Sequence, residues 1–141
     1  MPNFDPLKVL FGCRRRRYAA AMQGADVAAL TTDQVQALTT AQMKALTTAQ
    51  IVALTTSQFV AVQTEDLAVL STAQIAALQA SDLAALSTAQ IVALTSAQVA
   101  ALTTSQVVAL TTAQVAALET ADIAALGTAQ IQAMQISDVA A

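Results

Sequence analysis

The sequence predicts an all-α solenoid of very short helices, one per eight-residue repeat. Three observations predict it. An octad recurs without insertion or deletion from Ala19 to Asp138; most octads carry Thr or Ser followed three residues later by Gln; and the apolar content is almost entirely Ala, Leu, Val and Ile. At 56% hydrophobic residues the chain lies far from the polar, highly charged composition of disordered proteins. With 3% aromatics and no Trp, its core is made of small, uniform side chains that suit a repetitive stack.

Residues 1–18 precede the repeats and differ from them. They hold Lys8 and Arg14 to Arg17 against Asp5, a net charge of +4, whereas residues 19–141 hold Lys44 against eight acids, a net of −7. We read residues 1–18 as an N-terminal basic cap or docking segment, with Phe4, Leu7, Val9, Leu10 and Phe11 as its apolar anchor. Met1 is followed by an acid and two prolines instead of a basic n-region with an apolar h-region, so no Sec-type signal is expected. Cys13 is the single cysteine and leaves the redox compartment undetermined.

Residues 19–141 form the repeat domain: fifteen octads and the opening of a sixteenth. Lettering each octad a to h from Val27, position a is apolar throughout, c is Ala except at Val69, and d is Leu except at Met22, Val62 and Met134. Positions a, c and d are the candidate core. Thr at e with Gln at h is the pattern of a capping box, in which the hydroxyl accepts from the N3 backbone N–H and the Gln reaches back to the N-cap. Leu at d then stands at N′ and the next a at N4, the pairing of a hydrophobic staple, as in Leu30 with Val35. The candidate structural caps are therefore Thr31 with Gln34, Thr39 with Gln42, and Thr47 with Gln50. A helix begun at Thr31 runs only to about Ala37 before the next start. Helices this short fall far below the ~12–15 residues needed for marginal stability alone, so the units must stack.

Two other architectures fit less well. In one continuous helix, at about 100° per residue, the apolar stripe drifts by roughly 80° per octad and wraps the whole surface. A β-solenoid suits Thr, Val and Ile, yet Ala-Ala-Leu breaks strict alternation and three glycines cannot furnish a tight corner in every coil.

A longer period overlies the octad. Where e is Gln23, Gln63, Gln79, Glu119 or Gln135, h is Asp26, Asp66, Asp82, Asp122 or Asp138, so e and h change together. These altered octads begin at residues 19, 59, 75, 115 and 131, a pattern that recurs every 56 residues, or seven octads. Gly127 with Gln130 departs from both patterns. The repeats stop partway through an octad, and no C-terminal cap is expected.

Chemistry is sparse. With no His, one Cys and acids only at repeat-defined positions, no nucleophile–base pair or metal cluster can be assembled, and we expect no enzyme, cofactor or metal. Asp26, Asp82 and Asp138 form a ladder, but calcium repeats need Gly-rich turns and several oxygens per site, so a capping role is assigned. Residues 83–118 carry no charge, but Thr, Ser or Gln interrupts every apolar run, so no transmembrane segment is expected. Arg14, Arg15, Arg16, Arg17 and Tyr18 form a possible anion or docking patch. It could hold a nucleic-acid backbone or anionic surface, cap the solenoid as a solvated charge run, or dock on the acidic repeats of another copy. Val52, Val60, Val92 and Val108 at position b hint at a lateral contact.

The phrase Leu-Thr-Thr-Ala-Gln-Val-Ala-Ala-Leu, residues 110–118, resembles the helix opening of TAL effector repeats. The likeness covers one helix start, and the base-reading second helix is absent, so it implies no DNA reading. The tandem tract also resembles repeat regions of large bacterial surface or secreted proteins, often described as adhesin-like. That resemblance implies a structural role at a bacterial surface, and the open end and charge dipole lead us to expect head-to-tail assembly of copies into a fibre or surface layer. The competing reading is a monomeric module binding a peptide or, through the Arg cluster, nucleic acid.

Overall fold

The structure, a computed structural model, describes residues 23–134. Among them are fourteen α-helices of five or six residues each, from Gly24–Ala28 to Thr128–Ala133, one per octad, and no strand. The β-solenoid alternative therefore does not hold: the Thr residues that favoured it serve as helix caps.

Each described helix has its N-cap at position e, which is Thr or Ser in nine of the fourteen. Thr31 caps Thr32–Gln36, Thr47 caps Thr48–Ala53 and Thr103 caps Thr104–Ala109. The helix ends before or at the Leu of position d, because the following e residue must be extended to act as the next N-cap. Leu46 (φ −63°, ψ 140°) and Thr47 (φ −75°, ψ 161°) illustrate the corner. Two consecutive extended residues turn the chain with no positive φ among the described residues, so corners need no glycine. The short helices close on themselves at both ends: Met43 N–H donates to the Thr39 carbonyl at 2.9 Å and Leu46 N–H to the Met43 carbonyl at 3.2 Å.

Stacking follows a fixed interval. Every octad's helix packs on the helix three octads further along, from Gly24–Ala28 on Thr48–Ala53 to Thr104–Ala109 on Thr128–Ala133. Hydrogen bonds across the stack join residues 28 apart, such as Gln98 to Leu70 and Gln114 to Leu86. One turn of the solenoid thus takes 28 residues, or 3.5 octads. The seven-octad sequence pattern is two complete turns, which returns the altered octads to the same columns of the stack.

The core is a continuous column of a and d side chains, from Val27 and Leu30 through Phe59 and Ile75 to Leu110. The sequence reading placed c in the core as well. The structure leaves c half-buried along most of the stack and buries h instead, with Gln50, Gln58, Gln98, Gln106 and Gln114 as sheltered as the leucines. An amide can occupy that position because every one of its polar groups is matched.

Candidate functional site

The chemistry-bearing groups of this chain are the e and h side chains and the two ends of the stack. In nine octads the capping box is complete, with Thr31, Thr39, Thr47, Thr55, Ser71, Ser87, Thr95, Thr103 and Thr111 as N-caps. Thr31 Oγ1 accepts from the Gln34 N–H at 3.2 Å while Gln34 Oε1 accepts from the Thr31 N–H at 2.9 Å. The same exchange joins Thr39 with Gln42 and Thr47 with Gln50. At Gly127 only the returning arm survives, Gln130 Oε1 accepting the Gly127 N–H at 2.6 Å.

The same glutamines do something an isolated capping box does not. Gln98 Nε2 donates to the Leu67 carbonyl at 2.8 Å and the Leu70 carbonyl at 2.7 Å, one turn earlier. Gln106 reaches Ile75 and Leu78, and Gln114 reaches Leu83 and Leu86, in the same way. Those carbonyls lie at helix C-termini: Leu67, Ile75 and Leu83 also accept a backbone N–H from three residues on, whereas Leu70, Leu78 and Leu86 depend on the amide. One side chain therefore starts its own helix and closes the end of another.

The altered octads divide this work differently. Gln63, standing at e, sends Nε2 to the Gln36 carbonyl at 3.1 Å. Asp82 and Asp122, standing at h, cannot donate. They accept hydroxyl hydrogen bonds from the preceding turn, Asp82 from Thr56 at 2.7 Å and Asp122 from Ser96 at 2.8 Å. In the altered octads e and h thus both reach the preceding turn, Gln63 as a donor at e and Asp82 and Asp122 as acceptors at h. This corrects the capping role assigned to the Asp ladder. Asp26 caps, taking the Gln23 N–H at 3.0 Å, but Asp82 receives its hydrogen bond from across the stack, and Asp138 lies outside the described residues. Burial, and then the neighbouring Glu65, raise the Asp66 carboxyl above its ordinary range.

The two ends of the described stack differ. At the N-terminal end the a residues Val27, Val35 and Met43 are fully buried, while Gln34 at h is half-exposed. At the C-terminal end h stays buried in Gln130, but the a row opens: Val115 is buried, Ile123 is half-buried and Ile131 is 42% exposed. Side chains at h point to the preceding turn, where Gln98, Gln106 and Gln114 donate.

Arg14 to Arg17, Tyr18 and the apolar anchor from Phe4 to Phe11 lie outside the described residues. Val52, Val60, Val92 and Val108 are exposed by 37–42%. Among the described residues no group of three His, Cys, Asp or Glu could hold a metal, and no helix is long and apolar enough to cross a membrane.

Fold and side-chain pattern define a tandem-repeat helical solenoid. The chain belongs to the ALTTAQ repeat family, which matches residues 19–56, 59–96, 75–112 and 115–141. Each match begins at an altered octad, so the family unit starts where the cap exchange occurs. No curated protein and no solved structure matches the chain.

Proposed function

We propose that this chain is a non-enzymatic structural repeat protein that associates end to end into a fibre or surface layer. The observation that supports this reading is the uniformity of the stack: successive turns present the same a, d and h side chains to their neighbours, as Gln98, Gln106 and Gln114 show. A head-to-tail contact between unlike ends is heterologous and propagates unless its rotation closes a ring. Sedimentation velocity and negative-stain microscopy over a range of concentrations test the reading. The expected result is concentration-dependent growth into linear particles, abolished by Ile131→Asp with the helical circular dichroism unchanged. A monodisperse monomer at high concentration rejects it.

A second reading rests on the exposed valines at b, which would suit a monomeric module that binds a peptide along its side. In that form the Arg14–Arg17 cluster serves nucleic-acid binding. Salt-sensitive binding, lost when those arginines are replaced, would favour it.

A further inference from the structure

We propose that Asp122 and Glu119 hold a calcium ion against the Ile91, Val92 and Leu94 carbonyls of the preceding turn. The site lies inside the described stack and stands apart from the end-to-end reading.

The backbone builds the cradle. Where h is Gln in the middle of the stack, the carbonyls 31, 30 and 28 residues earlier converge on its amide nitrogen. Gln114 Nε2 lies 2.8 Å from the Leu83 carbonyl, 3.3 Å from that of Ala84 and 2.7 Å from that of Leu86. Gln98 and Gln106 meet their own three in the same way. The octad frame runs unbroken, so the carbonyls that converge on position 122 are those of Ile91, Val92 and Leu94.

Asp122 cannot donate to them. It is 4% exposed, its Oδ1 accepts the Ser96 hydroxyl at 2.8 Å, and its Oδ2 takes no hydrogen bond from a described residue. The Ile91 carbonyl has the Leu94 N–H at 3.1 Å, but no described residue donates to the Val92 or Leu94 carbonyl. A sheltered carboxylate facing carbonyls with no proton between them is costly on both sides. A cation resolves the conflict. Asp is one methylene shorter than Gln, so its carboxylate stops short of the point where the amide nitrogen stands, and an ion at that point touches both.

Glu119 supplies a second charge. Gln63, also at position e, extends to the Gln36 carbonyl, 27 residues earlier. The residue 27 before Glu119 is Val92, so a Glu side chain of the same length reaches this cradle. In the other described altered octads e is Gln23, Gln63 or Gln79, and only here do two acids meet the same three carbonyls. Together the carbonyls, Asp122 Oδ2 and the Glu119 carboxylate offer five or six oxygens and two negative charges. Calcium takes about 6–8 oxygens at ~2.3–2.6 Å, mixing carboxylates, backbone carbonyls and water in flexible geometry, whereas magnesium demands a near-ideal octahedron and holds its water. Most of the oxygens are backbone atoms a full turn away, which is why residue spacing does not disclose the site.

Thermal melts of the full chain, stripped of calcium by a chelator and titrated with calcium chloride at constant ionic strength, test the proposal. The melting temperature should rise with calcium, with the half-maximal shift at about 0.1–1 mM, the range of weak calcium modules. Magnesium chloride at the same concentrations should give less than about half the shift. Two variants locate the ion. Asp122→Asn keeps an acceptor for Ser96 and removes the charge, and Glu119→Thr/Asp122→Gln rewrites the octad as an ordinary Thr and Gln unit whose amide closes the carbonyls itself. Each should need about tenfold more calcium for the same shift, or show none. Equilibrium dialysis against radioactive calcium should find one ion fewer per chain in the double variant. No shift in the parent, the same shift in the parent and both variants, or a magnesium shift equal to that of calcium would each overturn the site.

Discussion

A glutamine at h has one carbonyl and two amide hydrogens, and in the middle of this stack all three are used. Gln98 caps its own helix through Oε1 and closes the Leu67 and Leu70 carbonyls through Nε2, at 2% exposure. Its removal should therefore cost more than loss of a helix cap. A lost N-cap Thr or Ser costs about 1 kcal/mol. Gln98→Ala also leaves the buried Leu70 carbonyl unpaired, while that of Leu67 keeps the Leu70 N–H, so with the lost cap it should cost about 2–4 kcal/mol. In urea unfolding, Thr95→Ala should lose about 1 kcal/mol, Gln98→Ala two to four times that, and Gln34→Ala no more than Thr31→Ala, because Gln34 bridges nothing within the described stack. Equal losses for Gln98→Ala and Gln34→Ala would refute the bridging role. The capping half of this residue's work is legible in the sequence, since Thr and Gln three apart interact within one helix start. The bridging half is not, because its acceptors lie a full turn of the solenoid away along the chain.

At the scale of the element, a five-residue helix has no interior, and its first turn determines its electrostatics. Thr64–Ala68 carries Glu65 and Asp66 side by side behind an N-cap Gln63 that makes no side-chain cap. Burial and then Glu65 push the Asp66 carboxyl up from the usual 3.8. A carboxyl whose folded pKa exceeds its unfolded one binds its proton more tightly in the native state. Its contribution is complete below about pH 3.8 and is lost as pH rises through the folded value. Asp66→Asn should accordingly raise the melting temperature at neutral pH. The gap between variant and parent should close as pH falls below about 3.8, and thermal melts at a series of pH values check it. A variant no more stable than the parent at pH 7 would show that the charge is accommodated without cost. The sequence makes such a helix look like a failed cap. It cannot show that Asp at h receives a hydroxyl from the turn before, as Asp82 and Asp122 do, since the exchange is visible only once the turn length is known.

At the scale of the whole molecule, the turn length was present in the sequence as the seven-octad recurrence of altered units. A pattern that must return to the same column of a stack repeats after a whole number of turns, and seven octads over two turns gives 3.5 per turn. What the pattern alone lacks is the number of turns it spans, which the hydrogen bonds between residues 28 apart supply. The reading of c as core failed for a related reason: Ala is apolar, but its small side chain sits at the margin of the column, and the matched amide at h takes the interior place. In a stack of this kind each octad touches only the turns above and below, so stability is a sum of unit and interface terms. Duplicating residues 75–130 in place inserts seven octads, two full turns, and leaves both ends of the stack and every column unchanged. The longer chain should unfold at higher temperature, with a urea m-value that rises with the added buried surface. Duplication of residues 79–130 serves as the control. It stops half an octad short, so Gln at h would face the wrong carbonyls and a would leave the core. That variant should lose stability relative to the parent, although its composition is nearly the same. Equal melting temperatures for the two insertions would mean that composition, and not the eight-residue frame, holds the stack together.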